Sequence, residues 1–282
     1  MPPSQENEPL AGPIVNISVA FPSTPDTGGN GTAQAVYLTS SGPDDVNIEN
    51  NEMENIHSNR SAKGVLIGDN GGTNPSQNVQ VKGNFIHDVT SDTRGAYAVS
   101  VANVPNVSGL KVVGNKINAL TGGAWVHVVG LEGDTPGAMI VNNDITGLTT
   151  GPDAIGVWFE SNPSFSTAQV HNNNFNLPAS QFGIAVSPAL VGGPVDGTCN
   201  WWNSPTGPTI ASNAGGTGAM ASANVTYNPW LIAPAPGGSC FGGNVPTTTN
   251  QCKSGGWMTR TRADGSTFKN QGDCIQYVNT GR

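Results

Sequence analysis

Charged residues are scarce in this sequence, since Asp, Glu, Lys and Arg together make up 11% of its 282 residues. Lys and Arg total 11 against 19 Asp and Glu, which leaves a net charge of −8. Nucleic acids and anionic membrane surfaces are bound through clusters of Lys and Arg, so the composition disfavours both as partners. Neutral glycans and cations remain open as ligands.

Long apolar runs are also missing. No segment approaches the roughly 18 consecutive apolar residues of a membrane-spanning helix, so we expect no membrane span. The first residues, MPPSQENEPLAGP, lack the basic and then apolar pattern of a signal peptide. If the protein is exported, we expect Met1 to stand where a leader has been removed.

Residues that favour helices are few, because Leu, Glu, Lys and Arg are sparse while Gly, Asn, Thr, Ser and Val dominate the middle of the chain. Gly (38) and Pro (21) account for about a fifth of the residues. Disordered proteins usually have a larger share of Gly and Pro or a higher charge density. The sequence therefore predicts a folded, nearly all-β protein.

The cysteines form an even set in the last third of the chain, without the CxxC spacing of a metal site: Cys199, Cys240, Cys252 and Cys274. This pattern favours disulfides, and hence an oxidising compartment and a secreted or cell-surface location. Three pairings are open. We favour the sequential one, Cys199–Cys240 and Cys252–Cys274, because each bond then closes one local loop of Gly- and Pro-rich chain.

An eight-residue motif recurs along the chain: apolar, any, apolar, any, any, Asn, any, apolar, as in VQVKGNFI and LKVVGNKI. Its Asn stands at Asn51, Asn84, Asn115, Asn143, Asn173 and Asn200, at spacings of 33, 31, 28, 30 and 27 residues. A period of about 30 residues is typical of a solenoid. Stacked at one turn of each coil, these Asn side chains are expected to form a ladder, because the amide bonds its neighbour and Asn tolerates a left-handed backbone.

A second motif lies between the copies of the first and alternates apolar with small or polar residues, as half-buried strands do. Its copies are AVYLT (35–39), GVLIG (64–68), AVSVA (98–102), WVHVV (125–129), GVWFE (156–160) and GIAVS (183–187). Two or more short strands per period predict about six to seven coils that bury Val and Ile inward.

These motifs make the chain resemble the right-handed parallel β-helix proteins of the pectate-lyase-like superfold, over roughly residues 14 to 232. VDGTCNWWNSPTGP (195–208), followed by VTYNPWLIAP (225–234), is similar to the closing segment of exported bacterial β-helix proteins. The tail, with QCKSGGW (251–257) and FKNQGDCIQYVNTG (268–281), resembles a Cys-paired C-terminal module of such proteins. The resemblance implies export and fixes no activity.

The chain is thus expected to divide into an N-terminal arm (1–13), β-helix coils (14–194), a C-terminal cap (195–240) and a small disulfide-stabilised appendage (241–282). A cap is needed because the open end of a solenoid exposes unpaired strand edges. Trp201, Trp202 and Trp230 supply the apolar area to cover that end.

The best candidate site comes from aligning the second motif by its inward apolar residues. This register places Tyr37, His127 and Trp158 in one outward column and predicts that Trp125, His127, Trp158 and Glu160 form one patch. Indoles stack on sugar rings, so Trp125, Trp158 and Tyr37 are the predicted carbohydrate-binding residues. His127 and Glu160 are the catalytic candidates if the protein is an enzyme. The alternative is that the Trp residues are packing under a loop.

Members of the superfold that hydrolyse polyuronates carry paired and tripled Asp with a GHG-like His and an RxK-like pair, and this combination of strings does not occur here. Members that cleave by β-elimination need a basic side chain and cations, whereas Lys and Arg total only 11. We therefore expect a non-catalytic, exported protein that presents a glycan-contacting or self-assembling face. A polysaccharide lyase or hydrolase is the alternative, and a structural filament subunit is the second alternative.

No cofactor or resident metal is predicted. Ca²⁺ is left open because oxygen ligands occur near the strands, at Asp69, Glu132, Asp134 and Asp153. His87 with Asp88 is a weaker candidate for orienting a substrate.

Overall fold

The chain folds into a parallel β-solenoid of about six coils. A computed structural model describes residues 14–15, 19–20, 32–38, 44–68, 75–102, 106–150, 153–240, 245–262 and 266–281. The predicted N-terminal arm (1–13) lies outside these residues. Among the residues described, no helix has both the length and the apolar character needed to cross a lipid bilayer.

The first half of the solenoid consists of four coils of short strands. In chain order they are β1 (Ile14–Val15), β2 (Val19–Ala20), β3 (Ala33–Leu38), β4 (Asn47–Glu49), β5 (Glu52–Glu54), β6 (Ile56–Ser58), β7 (Ala62–Ile67), β8 (Ser76–Gln77), β9 (Gln80–Lys82), β10 (Phe85–Ser91), β11 (Gly95–Val101), β12 (Val107–Ser108), β13 (Lys111–Val113), β14 (Lys116–Gly122) and β15 (Trp125–Leu131).

The second half continues the same winding and ends in the cap. Its strands are β16 (Met139–Val141), β17 (Asp144–Thr146), β18 (Leu148–Thr149), β19 (Asp153–Phe159), β20 (Gln169–His171), β21 (Asn174–Asn176), β22 (Phe182–Val186), β23 (Val195–Asp196), β24 (Pro208–Thr209), β25 (Gly218–Ala221) and β26 (Val225–Thr226). Among the described residues, 3₁₀ turns cover Phe165–Thr167, Thr249–Cys252 and Gly256–Thr259, and the α-helix α1 spans Gln271–Thr280.

Three parallel sheets run along the solenoid axis. Sheet A has the order β1-β4-β9-β13-β16-β20-β23-β26, sheet B the order β2-β5-β10-β14-β17-β21, and sheet C the order β3-β7-β11-β15-β19-β22-β25-β24. Except for the β25–β24 pair in the cap, each sheet pairs equivalent strands of successive coils, so chemically similar residues stack. In sheet C one inward column consists of Val36, Val65, Val99, Val129, Val157 and Ile184, all of them buried.

The predicted Asn ladder is confirmed. From Asn51 to Asn173, each ladder residue donates its backbone N–H and its side-chain Nδ2 to Oδ1 of the next ladder residue, at 2.9–3.1 Å. The left-handed backbone of the turn belongs to the residue before each ladder Asn, as at Asn50 and Gly83, with φ of 56° and 63°. The hydrogen bonds of its side chain therefore fix each ladder Asn in place, and the left-handed backbone that the sequence assigned to the Asn lies one residue earlier.

The C-terminal part covers the end of the solenoid. Trp202 is fully buried and packs against Phe175, with ring centroids 5.3 Å apart. The predicted disulfides are confirmed: Cys199 bonds Cys240, and Cys252 bonds Cys274. The second bond joins α1 to a 3₁₀ turn around a very small core, whose buried residues are Cys252, Phe268 and Cys274. Two disulfides indicate a location outside the reducing cytoplasm.

Candidate functional site

The register of β15 differs from the predicted one by three residues. Val129 and Leu131, rather than Val126 and Val128, are the partners of Val99 and Val101 in β11. The segment Trp125–Leu131 contains two apolar alternations that are out of phase, and all four of these residues on β15 are buried. As a result, Gly130 takes the place predicted for His127 in the outward column between Ser100 and Trp158.

Trp125, His127 and Trp158 nevertheless lie together on the outer side of sheet C. The His127 ring centroid lies 6.2 Å from that of Trp125 and 5.5 Å from that of Trp158. Tyr97 on β11 meets His127 edge-on at 5.8 Å and accepts a hydrogen bond of 2.7 Å from Trp125 Nε1. We call these four residues the aromatic face.

Two glycines let the rings of the aromatic face lie against the sheet. A Cβ added at Gly95 would collide with the Trp125 indole, and one added at Gly130 would come within 2.8 Å of Tyr97 Cε1. Each ring thus covers the backbone of a neighbouring strand. Trp125 and Trp158 stay half-buried, so part of each indole remains open to solvent.

His127 is buried within the aromatic face, and its ring nitrogens make no hydrogen bond to a described residue. The residue is 6% exposed. Nε2 lies 3.4 Å from Asp153 Oδ2 without the geometry of a hydrogen bond. In the same part of the structure, Trp158 Nε1 is also buried and unpaired. Such groups are rare in folded proteins and are typical of sites that water or a ligand completes.

Charged side chains border the aromatic face. Lys63 Nζ lies 4.9 Å above the Tyr97 ring centroid and donates to Ser100 Oγ at 3.1 Å. On the other side, the Tyr97 hydroxyl donates to Glu132 Oε1 at 3.2 Å. Glu160 takes the position of Glu132 on the next coil, because their backbone N–H groups bond to equivalent carbonyls of the preceding coil. Glu160 is exposed.

Burial and charge shift two pKa values at this border. Burial lowers the pKa of the Lys63 ammonium, and the Glu132 carboxylate acts in the opposite direction. Burial is also the main reason why the pKa of Tyr97 is raised, and the negative charges of Glu132 and Glu160 add to the shift. Tyr97 therefore remains protonated at ordinary pH, which fits its role as donor to Glu132.

Tyr37 shares an outward column with Trp158 but stands at the far end of it. Leu66, Ser100 and Gly130 lie between them, one per strand. At about 4.8 Å per strand the separation is about 19 Å. Tyr37 is 39% exposed. Only an extended ligand that runs along the solenoid axis would contact both residues.

The predicted Ca²⁺ ligands do not converge among the described residues. Asp69 lies outside them. Glu132 accepts from Tyr97, Asp134 Oδ2 accepts from Asn106 Nδ2 at 3.3 Å, and Asp153 faces His127. Within the described ranges, one group of three side chains has ligand atoms close enough to hold a metal ion: Glu52, Glu54 and His87, with those atoms within 4.8 Å of one another.

His87 is the centre of that group, on the outer side of sheet B. Its Nδ1 lies 2.6 Å from Asp88 Oδ2, and its Nε2 lies 3.3 Å from Glu52 Oε1. Burial acts to lower the pKa of His87. The hydrogen bonds to Asp88 and Glu52, with the charges of Asp88 and Glu54, outweigh it and raise this pKa overall. The bonds to surrounding carboxylates account for the position of the imidazole.

Sequence reasoning missed Lys63 and Tyr97. Both residues lie immediately before the aligned copies of the second motif, GVLIG and AVSVA, and were therefore left out of the outward columns. Strands β7 and β11 begin earlier than those copies, at Ala62 and Gly95. Extending the alignment by a few residues toward the N-terminus would have found both.

The chain matches no protein-family model, no curated protein and no solved structure. The resemblance to a β-helix family therefore rests on the motifs and on the solenoid itself.

Proposed function

We propose that this chain is an exported, non-catalytic β-helix protein of the pectate-lyase-like type that binds a neutral polysaccharide on its aromatic face. The observation that carries the proposal is the pair of half-buried indoles, Trp125 and Trp158, that lie on either side of His127 on the outer side of sheet C. Indole faces suit the apolar C–H side of a sugar ring.

The charges favour a neutral ligand. Glu132 and Glu160 border the aromatic face, and the chain as a whole carries a net charge of −8. An acidic polymer would be repelled from this side of sheet C. The carboxylates also provide hydrogen-bond acceptors for hydroxyl groups, as a sugar-binding rim requires.

The arrangement supports binding better than cleavage. A general base must reach the proton that it removes, whereas both nitrogens of His127 are buried. Tyr97 is held protonated and already uses its hydroxyl as donor and acceptor. Glu160 is exposed, and its counterpart on the preceding coil, Glu132, already accepts a hydrogen bond from Tyr97.

One observation favours the enzyme alternative, a polysaccharide lyase or hydrolase. Lys63 is half-buried with a lowered pKa, and a Lys of this kind is a suitable base for proton abstraction. In that reading Lys63 takes the proton and Glu160 contacts the sugar. Product formation that depends on Lys63 would decide for this alternative.

The test is retention on a panel of insoluble and soluble neutral polysaccharides, followed by mass spectrometry of any released oligosaccharides. We expect the intact protein to be retained on at least one glycan without product. Trp158→Ala should weaken the binding about tenfold or more, which corresponds to about 1.4 kcal/mol. Val191→Ala is the matched control, because Val191 is apolar and 95% exposed.

Three outcomes would overturn the proposal. Release of oligosaccharides that Lys63→Met abolishes would establish the enzyme. Retention that Trp158→Ala leaves unchanged would place the binding elsewhere. Neither retention nor product over the whole panel, with ordered end-to-end association of the protein, would favour a filament subunit.

A further inference from the structure

A cavity lies where the appendage meets the cap, and none of its lining residues belongs to the aromatic face. Its volume is about 340 Å³. Thr206, Asn213 and Tyr227 belong to its wall on the cap side, and Thr247, Gln251 and Arg260 belong to its wall on the appendage side. Ligand pockets span roughly 300–1,000 Å³, so this cavity suits a ligand the size of one or two sugar residues.

Of the described residues that line the cavity, Arg260 alone is charged. Its Nε donates to the backbone oxygen of Gln251 at 3.2 Å. Within the described part of the chain, no acidic side chain forms an ion pair with it, and its two terminal nitrogens have no hydrogen-bond partner. A guanidinium that is fixed by Nε presents those two nitrogens as a planar fork, which is the geometry that binds a carboxylate in a bidentate way.

Among the described residues, the lining has no carboxylate, although Asp and Glu outnumber Lys and Arg by 19 to 11 in the chain. The cavity thus carries a positive charge, that of Arg260, although the chain as a whole is negatively charged. The two terminal nitrogens of the Arg260 guanidinium can bind both oxygens of a planar carboxylate. The cavity therefore favours a ligand that carries a carboxylate over a neutral ligand.

The rest of the lining fits a hydroxylated ring. Tyr227 is half-buried and stacks on Trp230, with ring centroids 6.1 Å apart and an angle of 29°. Trp230 is buried behind it, and its Nε1 donates to Pro205 O at 3.1 Å. Asn228 and Thr247, both exposed, add an amide and a hydroxyl to the lining. An aromatic ring with neighbouring amides and hydroxyls is a surface for a sugar.

We propose that this cavity binds an acidic sugar residue, a hexuronate, with its carboxylate on the Arg260 fork and its ring against Tyr227. The site goes beyond the proposed function, because it is separate from the aromatic face and selects the opposite class of glycan. It also gives the appendage a role: the appendage supplies the cation, and the site is incomplete without it.

The test is calorimetric titration of the full-length, disulfide-bonded protein with trigalacturonate and with the neutral trisaccharide galactotriose. We expect trigalacturonate to bind, with an affinity that falls as salt is added, and galactotriose to bind at least tenfold more weakly. Arg260→Gln should reduce the affinity for trigalacturonate at least tenfold. Arg260→Lys should recover only part of it, because an ammonium lacks the fork.

A second variant blocks the cavity without changing the cation. A Cβ at Gly215 has open space, with Thr247 Oγ1 as its nearest neighbour at 3.9 Å. Gly215→Leu should therefore fold and abolish trigalacturonate binding. Lys253→Gln is the control for loss of a positive charge, because Lys253 is exposed and does not line the cavity. It should bind trigalacturonate like the wild type.

The proposal is overturned if wild-type protein does not bind trigalacturonate, or if Arg260→Gln and Gly215→Leu both bind it like the wild type. Equal binding of galactotriose would contradict the role of the carboxylate. Tighter binding of an N-acetylated tetrapeptide with a free C-terminal carboxylate, again dependent on Arg260, would reassign the cavity to peptide ends. Trp158→Ala should leave trigalacturonate binding unchanged, so failure of the aromatic face and failure of this cavity are told apart.

Discussion

At the scale of single residues, the ladder Asn side chains stabilise the turn between sheets A and B by several bonds at once. Asn143 accepts two bonds from Asn115 through Oδ1 and donates from Nδ2 to Asn173 Oδ1 and to the backbone oxygen of Val112. All of these groups are buried. Removal of the amide leaves partners unpaired in an apolar interior, which costs more than the bond itself contributes.

We expect Asn143→Ala to lower the free energy of unfolding by about 2–4 kcal/mol. Asn118→Ala is the control: Asn118 lies on the outer side of β14, is half-buried, and has no side-chain hydrogen bond to a described residue. Its replacement should cost less than about 1 kcal/mol. Denaturant unfolding of the three proteins measures both differences, and equal losses in the two variants would contradict the ladder's role.

His87 makes stability depend on pH in a defined direction. Its pKa in the folded protein is raised, so the charged imidazolium is favoured by folding. The stabilisation is complete below the ordinary pKa of about 6.5 and disappears as pH rises through the higher folded value. The difference in unfolding free energy between wild type and His87→Gln should therefore be larger at pH 5 than at pH 8.5. A difference that is constant with pH, or an NMR titration of His87 below 6.5, would refute this.

At the scale of strands, the recurring second motif predicts which segments pair in sheet C, but the register that it predicts is wrong at β15. Val126, Val128, Val129 and Leu131 allow two phases, and the sequence alone does not choose between them. Packing chooses, because Tyr97 on the neighbouring strand needs the space that only Gly130 leaves. The site residues were therefore predicted as a group, but the wrong neighbour was assigned to Trp158.

Gly130→Ala tests this explanation of the register. The added methyl would approach Tyr97 Cε1 to 2.8 Å, so the ring must shift and its bonds to Trp125 and Glu132 must change. Overpacking of this kind costs about 1–3 kcal/mol. We expect lower stability and altered Trp fluorescence. Gly215→Ala, where space is open, should change neither; identical behaviour of the two variants would contradict the packing argument.

At the scale of the whole molecule, the protein combines a large core with a very small one. The solenoid core is continuous through the coils and the cap, whereas the apolar core of the appendage has, among the described residues, three buried members. The Cys pattern predicted both disulfides because each bond joins cysteines adjacent in sequence order, 41 and 22 residues apart. The cavity at the junction was not predictable, because its wall combines residues from distant segments that share no motif.

The appendage should depend on its disulfide far more than the solenoid does. The loop entropy of a 22-residue separation corresponds to roughly 3–4 kcal/mol, which is large beside so small a core. In a variant with Cys252→Ser and Cys274→Ser, we expect the amides of α1 to lose hydrogen-exchange protection while those of the ladder residues keep it. Unchanged protection of α1 would show that the appendage is stable without the bond.

The central claim is that Trp125 and Trp158 contact a neutral glycan, and the indole N–H signals of the six Trp residues report on it directly. With a neutral oligosaccharide selected from the retention panel, NMR titration should shift the signals of Trp125 and Trp158. The signals of the buried cap residues Trp201 and Trp202 should stay in place. Saturable binding that leaves Trp125 and Trp158 unshifted would contradict the account.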